Sequence, residues 1–182
     1  MKFAILADIH GNSFALDAVL RDMASLGVEQ AVNLGDVFSG PIDAAGTAAL
    51  LMARDFATVR GNHDRYLIEQ DPSRMGPSDR VAFESLSRDH LQWIAGLPET
   101  QTIFGDVFLC HATPNSDSTY WLERVEETGA VRSASLAEIT AEAEGGRGEP
   151  DPLRPYAYPA LHSPAGRADH RKPRQHRLSC LR

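Results

Sequence analysis

The sequence is poor in cysteine, with only Cys110 and Cys180 among 182 residues. Two thiols cannot build the disulfide framework of a small secreted domain, so a reducing, cytoplasmic setting is the default expectation. Long apolar runs are missing too. The opening run, residues 2–7, stops at Asp8. That is too short for a signal-peptide core and far below the roughly 20 residues that span a bilayer, so no membrane partner is expected. The body of the chain also lacks a basic face. Residues 1–144 hold 10 Lys+Arg against 22 Asp+Glu, a net of −12, while residues 145–182 hold 8 against 3, a net of +5. An acidic body argues against a broad nucleic-acid surface, which needs cations facing phosphates. It suits a protein that gathers carboxylates around divalent cations. What is present is enough apolar residue, 42% of the chain, to fill the core of one ordinary domain.

Residues 2–7 form a β-branched and apolar run that reads as a buried strand. Asn12 and Ser13 are helix N-cap types, Leu16, Val19, Leu20 and Met23 recur with helical spacing, and Gly27 stops the helix. Residues 31–34 read as a second strand, residues 41–54 as a second helix and residues 56–59 as a third strand. The alternation predicts a parallel α/β arrangement. Helical patterns follow over residues 64–69, 78–87 and 89–95. Two apolar runs, residues 100–104 and 107–110, flank a Gly105-Asp106 break and read as a hairpin. Residues 135–144 predict a last helix.

Four polar clusters follow the predicted strands, the place where open α/β sheets hold ligands. They are Asp8-Ile9-His10, Gly35-Asp36, Gly61-Asn62-His63-Asp64, and His111 after the hairpin. Each has an ordinary reading when taken singly: a strand-end turn, a loop, or a buried histidine beside a core cysteine. Their joint recurrence in order argues for a site. Carboxylate, imidazole and amide oxygens suit Mn, Fe, Zn or Ni. In an extended Asp-x-His, alternation puts both side chains on one side, where they can grip one ion together. Cys110 and His111 point to opposite faces of a strand and do not make a nucleophile pair. Phe14, Met23, Phe83 and Trp93 read as packing.

These motifs resemble the calcineurin-like metallophosphoesterase superfamily, and more closely its small bacterial and archaeal phosphodiesterase-like members that open with Asp-x-His-Gly-Asn. The resemblance covers residues 1–144. It implies an α/β fold of two packed sheets flanked by helices. It further implies a hydrolase with two divalent metal ions, Mn or else Fe, Zn or Ni, acting on a small phosphoester or nucleotide. By that resemblance Asp8, His10 and Asp36 serve the first metal, and Asp36 bridges to a second that also takes Asn62 and His111. His63 matches the general acid, and Asn12 and Arg60 are candidates for contacting phosphate oxygens. His111-Ala112-Thr113-Pro114 stands where relatives tend to have His-Gly-Ser-Pro.

One family motif is missing. Relatives end with Gly-His-Thr-His, which supplies one histidine to each metal, and this chain has none. His162, His170 and His176 have the wrong spacing and carry no ligand role over. Residues 145–182 form a basic stretch with six of the eleven prolines, expected to be disordered or out of frame. Back-translating Asp151 to Leu161 with chosen codons and dropping the first base gives Ile-Leu-Phe-Gly-His-Thr-His-Ile-Pro-Arg. The same offset after Ser163 can give Val-Asn-Pro-Gly-Ser-Ile-Gly. A one-base frameshift between codons 144 and 151 is therefore expected, leaving a phosphoesterase domain over residues 1–144 that lacks its closing strands. The competing expectation is an inactive relative that binds a nucleotide or partner. A zinc hydrolase acting on amides would need a carboxylate base, and nothing ties Glu69 or Glu84 to the site.

Overall fold

In the computed structural model the structure describes residues 2–144. Residues 145–182, where the tail and its three histidines fall, lie outside the described residues.

Three short parallel strands, β1 (Ala4–Leu6), β2 (Ala31–Asn33) and β3 (Ala57–Thr58), form a sheet in the order β1-β2-β3. Ala4 faces Ala31 across the first pair, and Val32 faces Ala57 across the second. Helix α1 (Ser13–Ser25) connects the first two strands and α2 (Ala44–Met52) the next two. Both start at side-chain caps, with Asn12 accepting from the Ala15 amide at 3.0 Å and Asp43 from the Gly46 amide at 2.9 Å. Helix α3 (Asn62–Glu69) follows β3 directly. It begins two residues earlier than its apolar pattern suggests, because Asp64 reaches back to the Gly61 amide at 3.0 Å and fixes the first turn. Helices α4 (Pro77–Ser85) and α5 (Arg88–Ala95) complete the helical layer.

Side-chain alternation along the strands builds a two-sided core. Ala4, Leu6 and Ala31 point into a cluster with Leu16, Phe38, Ala48, Leu67 and Ile94 from the helical side. Ile5, Val32 and Val59 point the other way, against Leu109, Ile103 and Val107. Those last residues belong to the antiparallel hairpin of β4 (Thr100–Ile103) and β5 (Val107–Cys110). The hairpin is thus the second sheet, packed on the outer face of the first, and the α/β reading with two packed sheets flanked by helices holds. A one-residue slip in any strand would exchange these two faces, so the register is strongly set.

One element was not expected. A second hairpin, β6 (Glu123–Val125) with β7 (Val131–Ser133), precedes α6 (Leu136–Glu144). Both of its strands are largely exposed, so they carry no buried alternation to read. Charged pairs and one indole hold the unit together: Arg132 with Glu138 at 2.7 Å, Arg124 with Glu142 at 3.1 Å, and Trp121 Nε1 donating to the Ile139 carbonyl at 2.9 Å. Among the described residues no helix is long and apolar enough to cross a membrane.

Candidate metal centre

The loops after β1, β2 and β3 and the end of β5 converge. The first two are laced by backbone hydrogen bonds, from the Asp8 amide to the Gly35 carbonyl at 3.1 Å and from the His10 amide to the Asp36 carbonyl at 2.9 Å. The second and third touch so closely that a Cβ on Gly35 would lie 2.5 Å from the Gly61 nitrogen.

The expectation of an extended Asp-x-His is corrected. Asp8 (φ 53°), His10 (φ 49°) and Asp36 (φ 55°) all occupy the left-handed region. A tight turn, not strand alternation, brings Asp8 and His10 together. Side-chain-bearing residues pay on the order of 1 kcal/mol or more each for that backbone, and such strain concentrates where function requires a particular aim. Here the aim is mutual. Asp8, His10 and Asp36 each offer a ligand atom within 4.8 Å of the others.

Asp36 sits at the centre. Its Oδ1 accepts from the His63 amide at 2.9 Å. Its Oδ2 lies 3.7 Å from His10 Nε2 and 3.5 Å from His111 Nε2. Each imidazole has its other nitrogen committed to a carbonyl, which can only accept. His10 Nδ1 faces the Ser39 carbonyl at 2.9 Å, and His111 Nδ1 faces the Leu34 carbonyl at 2.7 Å. Both Nδ1 atoms therefore carry the proton, and both Nε2 atoms face the carboxylate. That backing is the usual arrangement behind a ligating histidine. Asn62 completes the group, its Oδ1 at 3.1 Å from His111 Nε2.

The acids and imidazoles of the group are electrostatically coupled. Burial pushes the Asp36 carboxyl up, but the hydrogen bond and charge of His111, with His10 and His63 beyond, hold it below the usual range. Burial pulls His111 down, yet the Asp36 hydrogen bond and charge and the Leu34 carbonyl outweigh this and raise it to about 9. Burial and the neighbouring Asp36 charge raise Asp8. Two carboxylates, two imidazoles presenting Nε2 and one carboxamide oxygen make a hard-to-borderline donor set, which suits divalent ions of the Mn, Fe, Zn group.

His63 joins the cluster edge-on to His10, with ring centroids 5.3 Å apart. The two phosphate candidates each make a local contact. Asn12 spends its carboxamide oxygen capping α1. Arg60 pairs with Glu99 at 3.0 Å. Cys110 is half-buried and its thiol is pushed up to about 11 by that burial, so it is an unreactive neighbour rather than a nucleophile. Glu69 pairs with Arg65 on its own helix.

Two acids escaped the sequence reading. Asp64 is fully buried and accepts from the amides of Asp36 (2.8 Å), Val37 (2.9 Å) and Gly61 (3.0 Å). Its place inside Gly-Asn-His-Asp was the available signal. Asp79, on α4, is buried against His63, and no motif marks it.

The family model for calcineurin-like phosphoesterases matches residues 1–170. Among solved structures, a metallophosphoesterase from Sphaerobacter thermophilus is 28% identical with a TM-score of 0.57, over 68% of this chain and 52% of that one. A hypothetical protein from Pyrococcus horikoshii is 19% identical with a TM-score of 0.55, over 70% and 61%. A putative diadenosine tetraphosphatase is 24% identical with a TM-score of 0.53, over 81% and 71%. The last two likenesses speak to the fold. The chain spans 52% and 61% of the length of the first two. No protein of curated function matches.

Proposed function

The chain belongs to the calcineurin-like phosphoesterase family, and from that premise we propose that it hydrolyses a phosphomonoester or phosphodiester at a dinuclear metal centre. The observation that carries this reading is the placement of Asp36 Oδ2 between two imidazole Nε2 atoms, at 3.7 and 3.5 Å, each with its Nδ1 proton given to a carbonyl. Asp8, His10 and Asp36 would hold one cation, and Asp36 with Asn62 and His111 would hold a second. When bound, divalent ions there supply charge to a phosphoryl oxygen and an activated water as nucleophile.

The residues of the chain do the rest. Asp36 is held at two points, its amide by Asp64 and its Oδ1 by the His63 amide, while its Oδ2 faces the two histidines. His63, whose ring is about one-third exposed, delivers a proton to the leaving oxygen as the P–O bond breaks. Arg60 has guanidinium donors besides the one on Glu99, and Asn12 has its amide nitrogen, to offer a phosphate. Small phosphoesters, nucleotides included, are the substrate class. Mn is the favoured metal, with Fe, Zn or Ni as the other members of the set, and the scarcity of cysteine supports a cytoplasmic setting.

The test is hydrolysis of bis(p-nitrophenyl) phosphate with added manganese, compared with Asp36→Asn. Metal-stimulated turnover that the substitution removes supports the reading. An absence of metal-stimulated turnover in the parent chain points instead to a relative that only binds a nucleotide or partner.

A further inference from the structure

Helix α4 contributes one side chain to the neighbourhood of the metal centre. Asp79 is 6% exposed and lies at the third position of that helix. An acid there commonly reaches back to the amide at the start of its own helix. Asp79 instead turns to other elements. It accepts a hydrogen bond from Ser39 Oγ, and its Oδ1 lies 3.0 Å from His63 Nδ1. Burying a carboxylate is costly unless it is hydrogen-bonded. Among the described residues these two groups are its hydrogen-bond partners, so the burial makes sense chiefly as service to His63.

A carboxylate offers no proton, so the pairing places one on His63 Nδ1 and leaves Nε2 as the nitrogen able to act. The ring is boxed on both sides. It meets His10 edge-on at 5.3 Å and Tyr66 at 5.3 Å. Ser39 links the two histidines, since its carbonyl faces His10 Nδ1 and its hydroxyl donates to Asp79. One loop residue thus sets both the ligand and the proton donor.

We propose that Asp79 is a positioning residue for His63, fixing the Nδ1–H form and aiming Nε2 at the leaving oxygen. This rests on the reading of His63 as proton donor. As the P–O bond breaks, its electron pair goes to the leaving oxygen and the proton on Nε2 moves there, while the Nδ1 proton stays against Asp79.

Two measurements on the full chain test it. The first is the ¹⁵N signature of the His63 ring in the metal-free protein, which needs no turnover. The parent chain is expected to show a proton held on Nδ1, and Asp79→Asn to lose that preference. The second is leaving-group dependence with manganese present. Poor alkoxide leaving groups need the proton, whereas p-nitrophenolate does not. His63→Ala is expected to lower turnover of alkyl esters by roughly 10²–10⁴-fold and Asp79→Asn to lower it in the same direction, while both change p-nitrophenyl esters only a few-fold. If His63→Ala shows that pattern and Asp79→Asn does not, the positioning role is overturned and the role of His63 stands. If His63→Ala slows both ester classes alike, the proton-donor reading fails, and the ring signature still decides the pairing. Should Asp79→Asn not fold, the parent ring alone decides, because a proton held on Nε2 with Nδ1 bare overturns the proposal.

Discussion

The carboxylate of Asp64 holds the backbone amide of Asp36 at 2.8 Å, so a residue on the first turn of α3 aims the central acid on the loop after β2. The same carboxylate takes the Val37 amide at 2.9 Å and the Gly61 amide at 3.0 Å, stapling two of the converging loops with one side chain. Asparagine keeps one acceptor oxygen and turns the other atom into a donor facing donors. The protonated acid does the same, so Asp64→Asn stands in for that form and isolates the effect of ionisation at this position.

Its pH dependence has a definite sign. Burial, with the Asp36 charge behind it, raises Asp64 from 3.8 to about 6 against its three amide hydrogen bonds. The folded state then holds this proton more tightly than the unfolded one. The stability that Asp64 contributes is fully present below pH 3.8 and is lost as pH rises through about 6. The amount is ~3 kcal/mol, from 1.36 kcal/mol per unit. Between pH 4 and pH 7 the denaturant midpoint of the parent chain should fall relative to that of Asp64→Asn. A parent midpoint that rises relative to the variant's over that range would falsify the assignment.

Gly35 and Gly27 separate close approach from backbone preference. Both have positive φ, 100° and 65°. A Cβ at Gly35 meets the Gly61 nitrogen at 2.5 Å and its Cα at 2.8 Å, whereas one at Gly27 meets nothing within 4 Å. Gly27→Ala should cost about 1 kcal/mol, the left-handed penalty alone. Gly35→Ala should cost about 3 kcal/mol or more and loosen the metal centre, because the loop carrying Asp36 must move off the loop carrying Asn62. Paired unfolding curves and manganese titrations check both halves.

Much of this was legible because chemistry and periodicity coincided. Asp8, His10, Asp36, Asn62, His63 and His111 are polar residues interrupting apolar strands, and the structure brings all six together. The strands were legible as apolar runs, but which face Ile5 and Val32 take against Ala4 and Ala31 was not, because both faces are buried. The left-handed turn at Asp8 and His10 was not, since a three-residue spacing fits both an extended strand and a tight turn. Asp79 was invisible because one acid on a helix looks like any solvated acid until the fold buries it. The exposed β6–β7 hairpin left no pattern at all. Asn12 caps α1 with its carboxamide oxygen and Arg60 pairs one guanidinium nitrogen with Glu99, contacts that no motif marks.

Arg65 and Asp117 tie the segment after His111 to α3. The pair is bidentate, Nε to Oδ2 at 2.6 Å and a terminal nitrogen to Oδ1 at 3.0 Å, with the guanidinium over the Tyr66 ring at 5.0 Å. The side chains are 30% and 24% exposed, so solvent screening keeps the coupling near ~1 kcal/mol. The Arg65 hydrogen bond holds the Asp117 carboxyl below its ordinary value. Its contribution is thus present above about pH 3.8 and lost as pH falls through the lower folded value. A double-mutant cycle of Arg65→Ala and Asp117→Ala should give that coupling at pH 7 and a smaller one near pH 3.

Metal content tests the frameshift expected for residues 145–182. Among the described residues the centre offers five donor side chains: Asp8, His10, Asp36, Asn62 and His111. Ions of the Mn class prefer about six ligands each, so two of them share a thin set even with Asp36 bridging. The shifted frame would add Gly-His-Thr-His, one imidazole per ion. A chain re-encoded with that one-base shift between codons 144 and 151 should keep close to about two Mn per molecule through gel filtration and melt at a higher temperature. The chain as it stands should keep less than about one, because fewer donors mean faster loss and a smaller mass-action gain in stability. Equal metal content in the two proteins would mean that the five donors suffice and that the shifted frame has no bearing on the site.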